Sequence, residues 1–239
     1  MKNISEEIKS ALLEKGASLV GFADLGDLPE RERHSMRFAV SMAVALDPSI
    51  IAAVYDGPTQ EYYAEYRQVN ALLWQLAKFS AGLIQSWGYR AIPKQTTHAR
   101  FDQKTQSTIL PHKTVATHAG LGWIGKCALL VTEEYGPAIR LNAVLTDAEL
   151  DVAEPIAESR CGDCRLCVDS CPGGAPSGKN WNFRLQRHEF FDAFACAEAA
   201  RARAKAKIGV DDTICGVCVS VCPWTARYLK NATKAQSKE

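Results

Sequence analysis

Apolar residues recur along this chain first at helical spacing, then at strand spacing, and back again. Ile4, Ile8, Ala11 and Leu12 fall on one helical face, and Gly16 stands where a C-cap belongs, so a first helix is expected to end there. Residues 19–22 and 38–46 are apolar runs of strand length. Tyr62, Tyr66, Val69, Leu73, Leu76, Phe79, Leu83 and Trp87 then recur at steps of three and four, which predicts one long helix over 59–87, ended by Gly88. Residues 89–92 read as a short strand. Residues 128–132 and 140–146 read as two more, joined through Glu133, Glu134, Tyr135, Gly136 and Pro137. Helices and strands alternate irregularly, which predicts an α+β layer fold rather than a plain doubly wound sheet.

Composition narrows the class. The 239 residues suit one or two domains with a real core. A formal charge of +1 and 47% hydrophobic residues describe an ordinary globule, with no bulk basicity to point to nucleic acid. The longest apolar stretches, such as 38–46, fall far short of the ~20 residues of a membrane span. The opening MKNISEEIKS has no apolar signal-peptide core, so a reducing cytoplasm, and thiols rather than disulfides, are expected. The character of the chain changes near residue 155. Residues 1–155 are mixed α and β, 156–228 are rich in cysteine, glycine and proline, and the polar 229–239 are expected to fray.

Eight of the nine cysteines fall in that second stretch. Cys161, Cys164, Cys167 and Cys171 stand at gaps of two, two and three, followed by Pro172. Cys196 stands alone, and Cys215, Cys218 and Cys222 repeat the gaps of two and three before Pro223. The first spacing is the bacterial two-cluster ferredoxin run, whose fourth cysteine ligates the other [4Fe–4S] cluster. A two-residue gap presents neighbouring thiolates to different corners of one cube, and the proline then turns the chain away. Applied to both groups, the rule gives Cys161, Cys164, Cys167 and Cys222 to cluster 1, and Cys171, Cys196, Cys215 and Cys218 to cluster 2. Zinc ribbons also use Cys-x2-Cys pairs, but a four-ligand zinc site leaves the doubled x3-Cys-Pro signature unexplained. The array therefore predicts two [4Fe–4S] clusters and an electron-handling protein.

Upstream lies the stretch AGLGWIGK, from Ala119 to Lys126, followed by the strand RLNAVLT. This motif, then the CxxCxxCxxxCP run, a lone Cys and CGVCVSVCPW, resembles the epoxyqueuosine reductase family over about residues 15–226. The resemblance implies a nitroreductase-like α/β cofactor domain over 1–155, followed by a ferredoxin-like module over 156–228. It also implies a cobalamin-dependent oxidoreductase in which the clusters pass electrons singly to a base-off corrinoid. In that family the reaction removes the epoxide oxygen of a modified tRNA nucleoside. Here a low-potential donor such as ferredoxin or flavodoxin is expected, with a small-molecule or otherwise unidentified substrate. Such clusters span roughly −700 to +450 mV, which reaches the potentials this chemistry needs, and the cofactor would carry the hard step.

Three features depart from the family pattern. The C-terminal helical-repeat domain that helps hold tRNA is expected to be missing. The family's acidic proton donor falls on Gln106, followed by Ser107 and Thr108, and the nearest carboxylate is Asp102. Cys127 follows the Gly125-Lys126 pair where a different polar residue is usual. Together these argue against tRNA as the substrate.

Individual residues carry paired readings. His112, Lys113 and His118 are either a solvated helix face after Pro111, or cofactor and substrate contacts with a histidine or Asp102 as proton donor. Gly120, Gly122, Trp123, Gly125, Lys126 and Cys127 are candidate cofactor contacts; tight packing explains the glycines equally well. Cys127 is a small buried hydrophobe or a redox thiol beside Lys126. Residues 197–207 are a solvated basic helix or a docking face for an acidic donor. Trp224 is expected to cover cluster 1. Two other functions stay open: an electron carrier without its own catalytic site, and a flavin-dependent reductase.

Overall fold

The computed structural model describes residues 3–95 and 102–236. Two compact units are built from interleaved segments. The first takes residues up to 45, then 68–122 and 140–156; the second takes 46–67, 123–139 and 157 onward.

The first unit is built on a four-stranded sheet. Helix α1 (Ile4–Glu14) is capped by the Asn3 side chain, which accepts from the Glu6 N–H, and it buries Ile8 and Leu12. Strands β1 (Leu19–Asp24) and β2 (Phe38–Ala45) pair antiparallel, Leu19 with Ala43 and Asp24 with Phe38. Strand β3 (Ala91–Pro93) pairs antiparallel with β6 (Ile139–Thr146), and the sheet order is β1-β2-β6-β3. The continuous apolar run of β2 follows from its place inside the sheet, where all six of its inner residues are buried. Helix α2 (Pro48–Ala52) belongs to the second unit. The long helix α3 (Gln60–Ser86) enters the first unit at residue 68. Its buried stripe runs through Val69, Leu73, Leu76, Ala77, Ser80, Ala81 and Ile84, whereas Phe79, Leu83 and Trp87 are half-buried. Small residues on the inner face allow close packing, so the aromatic periodicity marks the flank of this stripe. Helix α4 (His112–His118) packs in the core of Ala23, Leu25, Met36, Ala39, Leu110, Val115, Ala119, Ala143 and Leu145. Gly21 permits the approach: a Cβ there would lie 2.6 Å from the Ala119 carbonyl oxygen and 2.8 Å from Leu121.

The second unit has little regular structure. Strands β4 (Trp123–Ile124) and β5 (Leu130–Val131) form a minimal hairpin. The strand expected over 128–132 begins only at Leu130. Ala128 turns at φ 58°, its N–H donating to the Gly125 carbonyl, and that turn uses up the first two positions. Around the hairpin lie α5 (Leu166–Asp169), α6 (Arg187–Phe190), α7 (Ala193–Ile208), α8 (Val217–Ser220) and α9 (Pro223–Gln236). Residues 46–67 are fastened to these helices. Arg203 and Lys207 of α7 pair with Asp56, Gln60 donates to the Ile208 carbonyl at 2.8 Å, and the Tyr228 hydroxyl of α9 donates to the Leu46 carbonyl at 2.8 Å. The tail expected to fray from residue 229 is helical as far as Gln236, with Tyr228 and its edge-on Tyr135 anchoring that helix. Residues 237–239 lie outside the described residues. Among the described residues no helix is long and apolar enough to cross a membrane.

Candidate iron–sulfur centre and the cavity of the first unit

The two cysteine runs fold alike. Cys167 is the second residue of α5 and Cys218 the second residue of α8; each short helix is followed by a Cys-Pro pair. All nine cysteines are free thiols. Cys222, from the second run, lies within electrostatic reach of Cys161 and Cys167 of the first, while Cys215 lies within reach of Cys171. Eight thiols are a donor set of the kind and number that two cubanes take. Among the described residues no three His, Cys, Asp or Glu side chains converge on a single ion. In a cubane the four thiolates bind four different irons and stand correspondingly apart.

Burial raises the pKa of three of these thiols, Cys167, Cys215 and Cys222. It pushes Cys222 up to about 11, against the pull of N–H donors from Trp224 and Thr225 in the first turn of α9. Burial likewise raises Cys215. Cys167 is raised chiefly by its hydrogen bond with Cys127, and then by burial. Ligation requires thiolates, so loading iron releases protons here. Once a cluster is bound, the same α9 amides become hydrogen bonds to a ligand sulfur, one of the protein's levers on potential.

The AGLGWIGK motif is divided between the units after Gly122. Gly120 packs against residues 153–154: a Cβ there would lie 2.9 Å from Ala153 Cβ. Gly122 is buried, and Trp123 is fully buried. Trp123 meets Trp224 edge-on at 5.1 Å, with the Arg160 guanidinium 5.5 Å from its ring centre. The remaining residues turn toward the cysteines. Gly125 sits so that a Cβ would stand 3.6 Å from Cys161 Sγ and 3.6 Å from Cys127 Sγ. Lys126 Nζ donates to the Gly162 carbonyl at 2.7 Å and to the Cys164 carbonyl at 2.9 Å. Cys127 is buried and hydrogen-bonds with both Cys167 and Cys218, one from each proposed cluster. Sequence reasoning named these three residues but not their place; their only signal was a cysteine directly after a lysine.

The candidate proton donors are dispersed within the first unit. The Asp102 carboxylate is taken up by its own exposed turn, accepting from the Lys104 N–H at 2.8 Å and the Thr105 hydroxyl at 3.0 Å. His112 Nδ1 is shut away from solvent without a partner. Burial, helped by the Lys94 charge, lowers this imidazole to about 4. His118 lines a cavity of about 530 Å³, shared with Asp24, Gly26, Asp27, Arg33, Arg37 and Pro155. Its Nδ1 lies 2.9 Å from the Thr114 carbonyl and its Nε2 3.3 Å from Asp27 Oδ2. Both nitrogens thus face oxygen acceptors. Arg37 pairs with Asp24 at 2.7 Å, and Arg33 donates to the Leu28 and Met36 carbonyls. Sequence reasoning missed these four charged partners, whose signal is the charged loop between two apolar strands.

Residues 160–225 match the family described as a 4Fe-4S double cluster binding domain, which defines the class: an iron–sulfur protein carrying two clusters. The chain is similar to the epoxyqueuosine reductases. The enzyme of that name from Synechococcus sp. (strain RCC307) is 26% identical over 96% of this chain and 78% of its own length. Four further epoxyqueuosine reductases match over 30 to 46% of their own lengths, so the chain spans less than half of most of these relatives. The fold is shared with the catabolic reductive dehalogenase NpRdhA, at TM-score 0.71 and 20% identity over 92% of this chain and 31% of that one. It is shared too with an epoxyqueuosine reductase solved with an epoxyqueuosine-modified tRNA-Tyr stem loop, at TM-score 0.60 and 19% identity over 92% of this chain and 65% of that one.

Proposed function

We propose that this protein is an iron–sulfur reductase that delivers single electrons from two [4Fe–4S] clusters to a bound corrinoid. Cluster 1 is assigned to Cys161, Cys164, Cys167 and Cys222, and cluster 2 to Cys171, Cys196, Cys215 and Cys218. The observation that carries the reading is the extent of the likeness: it runs over 96% of the chain rather than stopping at the cysteine-rich residues 160–225. A simple electron carrier has no need of the first unit. We assign that unit as a nitroreductase-like cofactor and substrate part.

A corrinoid, when bound, supplies a metal centre that takes up low-potential electrons and reduces the substrate. A reductive dehalogenase of this fold has been described with a B12-dependent mechanism. The cavity beside His118 falls within the size range of small-ligand sites. His118 is the proton donor in this reading. The Thr114 carbonyl and Asp27 hold its ring through its two nitrogens. Asp102 and His112 are left with structural roles.

The test uses anaerobically purified protein, reconstituted with iron and sulfide and titrated with cob(II)alamin under EPR. Conversion of a base-on to a base-off signal supports the reading. An unchanged signal at protein excess overturns it, and flavin released on denaturation would replace the corrinoid with a flavin. Turnover is then assayed with an epoxyqueuosine-containing stem loop and with small-molecule acceptors. Product from the stem loop would restore tRNA as the substrate.

A further inference from the structure

We propose that Lys126 is a fixed charge that raises the reduction potential of cluster 1. The inference rests on the two-cluster reading and goes beyond it to what tunes one of the clusters.

Lys126 lies in the turn joining β4 to β5 and is 4% exposed. Its ammonium has been taken out of water and given two neutral carbonyls, Gly162 at 2.7 Å and Cys164 at 2.9 Å. Both belong to the loop between the first and third ligands of cluster 1. Among the described residues no carboxylate stands within ion-pair distance of it. A buried cation in that position needs a negative partner. The nearest source is the ligand set itself. The neighbouring Gly125 backbone abuts Cys161 Sγ.

Four thiolates on the cube leave the assembly anionic, and one added electron makes it more so. An uncompensated cation therefore stabilises the reduced state over the oxidised one, net charge being a main determinant of these potentials. The charge that Lys126 brings is therefore directed at cluster 1, through the loop that carries that cluster's ligands. Lys126 acts through the cluster and is a positioning and tuning residue, not a catalytic one.

The test is a spectroelectrochemical titration, followed by EPR, of reconstituted full-length protein as wild type, K126R, K126Q and K126M. Iron content and the two reduced-cluster signals in the wild type check the two-cluster reading separately. The cluster 1 wave is identified by its loss in C164S. In K126Q and K126M the cluster 1 equilibrium should move at least tenfold toward the oxidised form, which is 59 mV for one electron. Cluster 2 should stay in place, and K126R should hold both waves near the wild-type potentials. Waves that do not move in the neutral variants, or that move together, would overturn the proposal. If the neutral variants do not retain cluster 1, retention in K126R supports a role for the charge, and loss in all three variants refutes it.

Discussion

The two compact units are held together by different means. The first has a four-stranded sheet, long helices and a continuous apolar core. In the second the strands are two residues long, and three of its helices have only four residues. Around the first cysteine run almost nothing is buried: α5 has no buried residue, and Leu166 is half exposed. An apolar core can hold the first unit without help, whereas the second must take much of its stability from what its thiolates bind. One unit is specified by side-chain packing, the other by ligand chemistry.

The largest test of that contrast is removal of iron. Chelation should release the second unit while sparing the first. Amide exchange at Val168, Asp169 and Val221 should quicken by roughly 100-fold or more, with β1, β2 and β6 unchanged. Uniform loss in both units would break the contrast.

The first unit has its own sensitive points. Gly21→Val forces a side chain into a space already filled by the Ala119 carbonyl and Leu121, and should cost about 3 kcal/mol in denaturant unfolding. Iron per chain should stay the same.

A comparable effect is expected from acid. Because His112 is held near 4 in the fold against an ordinary 6.5, the imidazole is neutral in both states above pH 6.5 and adds no pH dependence there. As pH falls through 6.5 toward 4, the unfolded chain takes up a proton that the folded one refuses, and stability is lost, by about 3 kcal/mol in all. Unfolding free energies of wild type and His112→Asn, compared at pH 7 and pH 5, should diverge by about 2 kcal/mol against the wild type. Parallel curves would remove the buried neutral imidazole.

The smallest change expected is Cys127→Ala. It removes a buried thiol that hydrogen-bonds with Cys167 and Cys218 and stands outside the proposed ligand sets, so iron per chain should be unaltered. A lost cluster would place Cys127 among the ligands.

Much of the first unit is legible in the chain because its signals are local. The Ile8–Leu12 face, the run in β2 and the length of α3 all follow from periodicity. The interleaving of the units is not, because it depends on pairings far apart in sequence. Asp56 with Arg203, Gln60 with Ile208 and Leu46 with Tyr228 bring residues 46–67 to the cysteines, and no local pattern announces them. In the site, the cysteine spacing carries the chemistry openly. The AGLGWIGK stretch carries it ambiguously: its glycines suggest a backbone cradle for a cofactor, while the fold turns Lys126 and Cys127 onto the cysteine loops. His118 was visible as a candidate, but its partner Asp27 was not.

The central claim is that the two runs exchange their last cysteines. It is tested most directly by comparing the EPR spectra of single-ligand variants that keep one cluster each, with iron measured alongside. In C161A and C222A the surviving cluster should be the same one, giving superimposable reduced spectra and about half the wild-type iron, while C171A should match C215A. If C161A instead matches C171A, with C222A matching C215A, each run holds its own cluster and the crossed assignment is wrong.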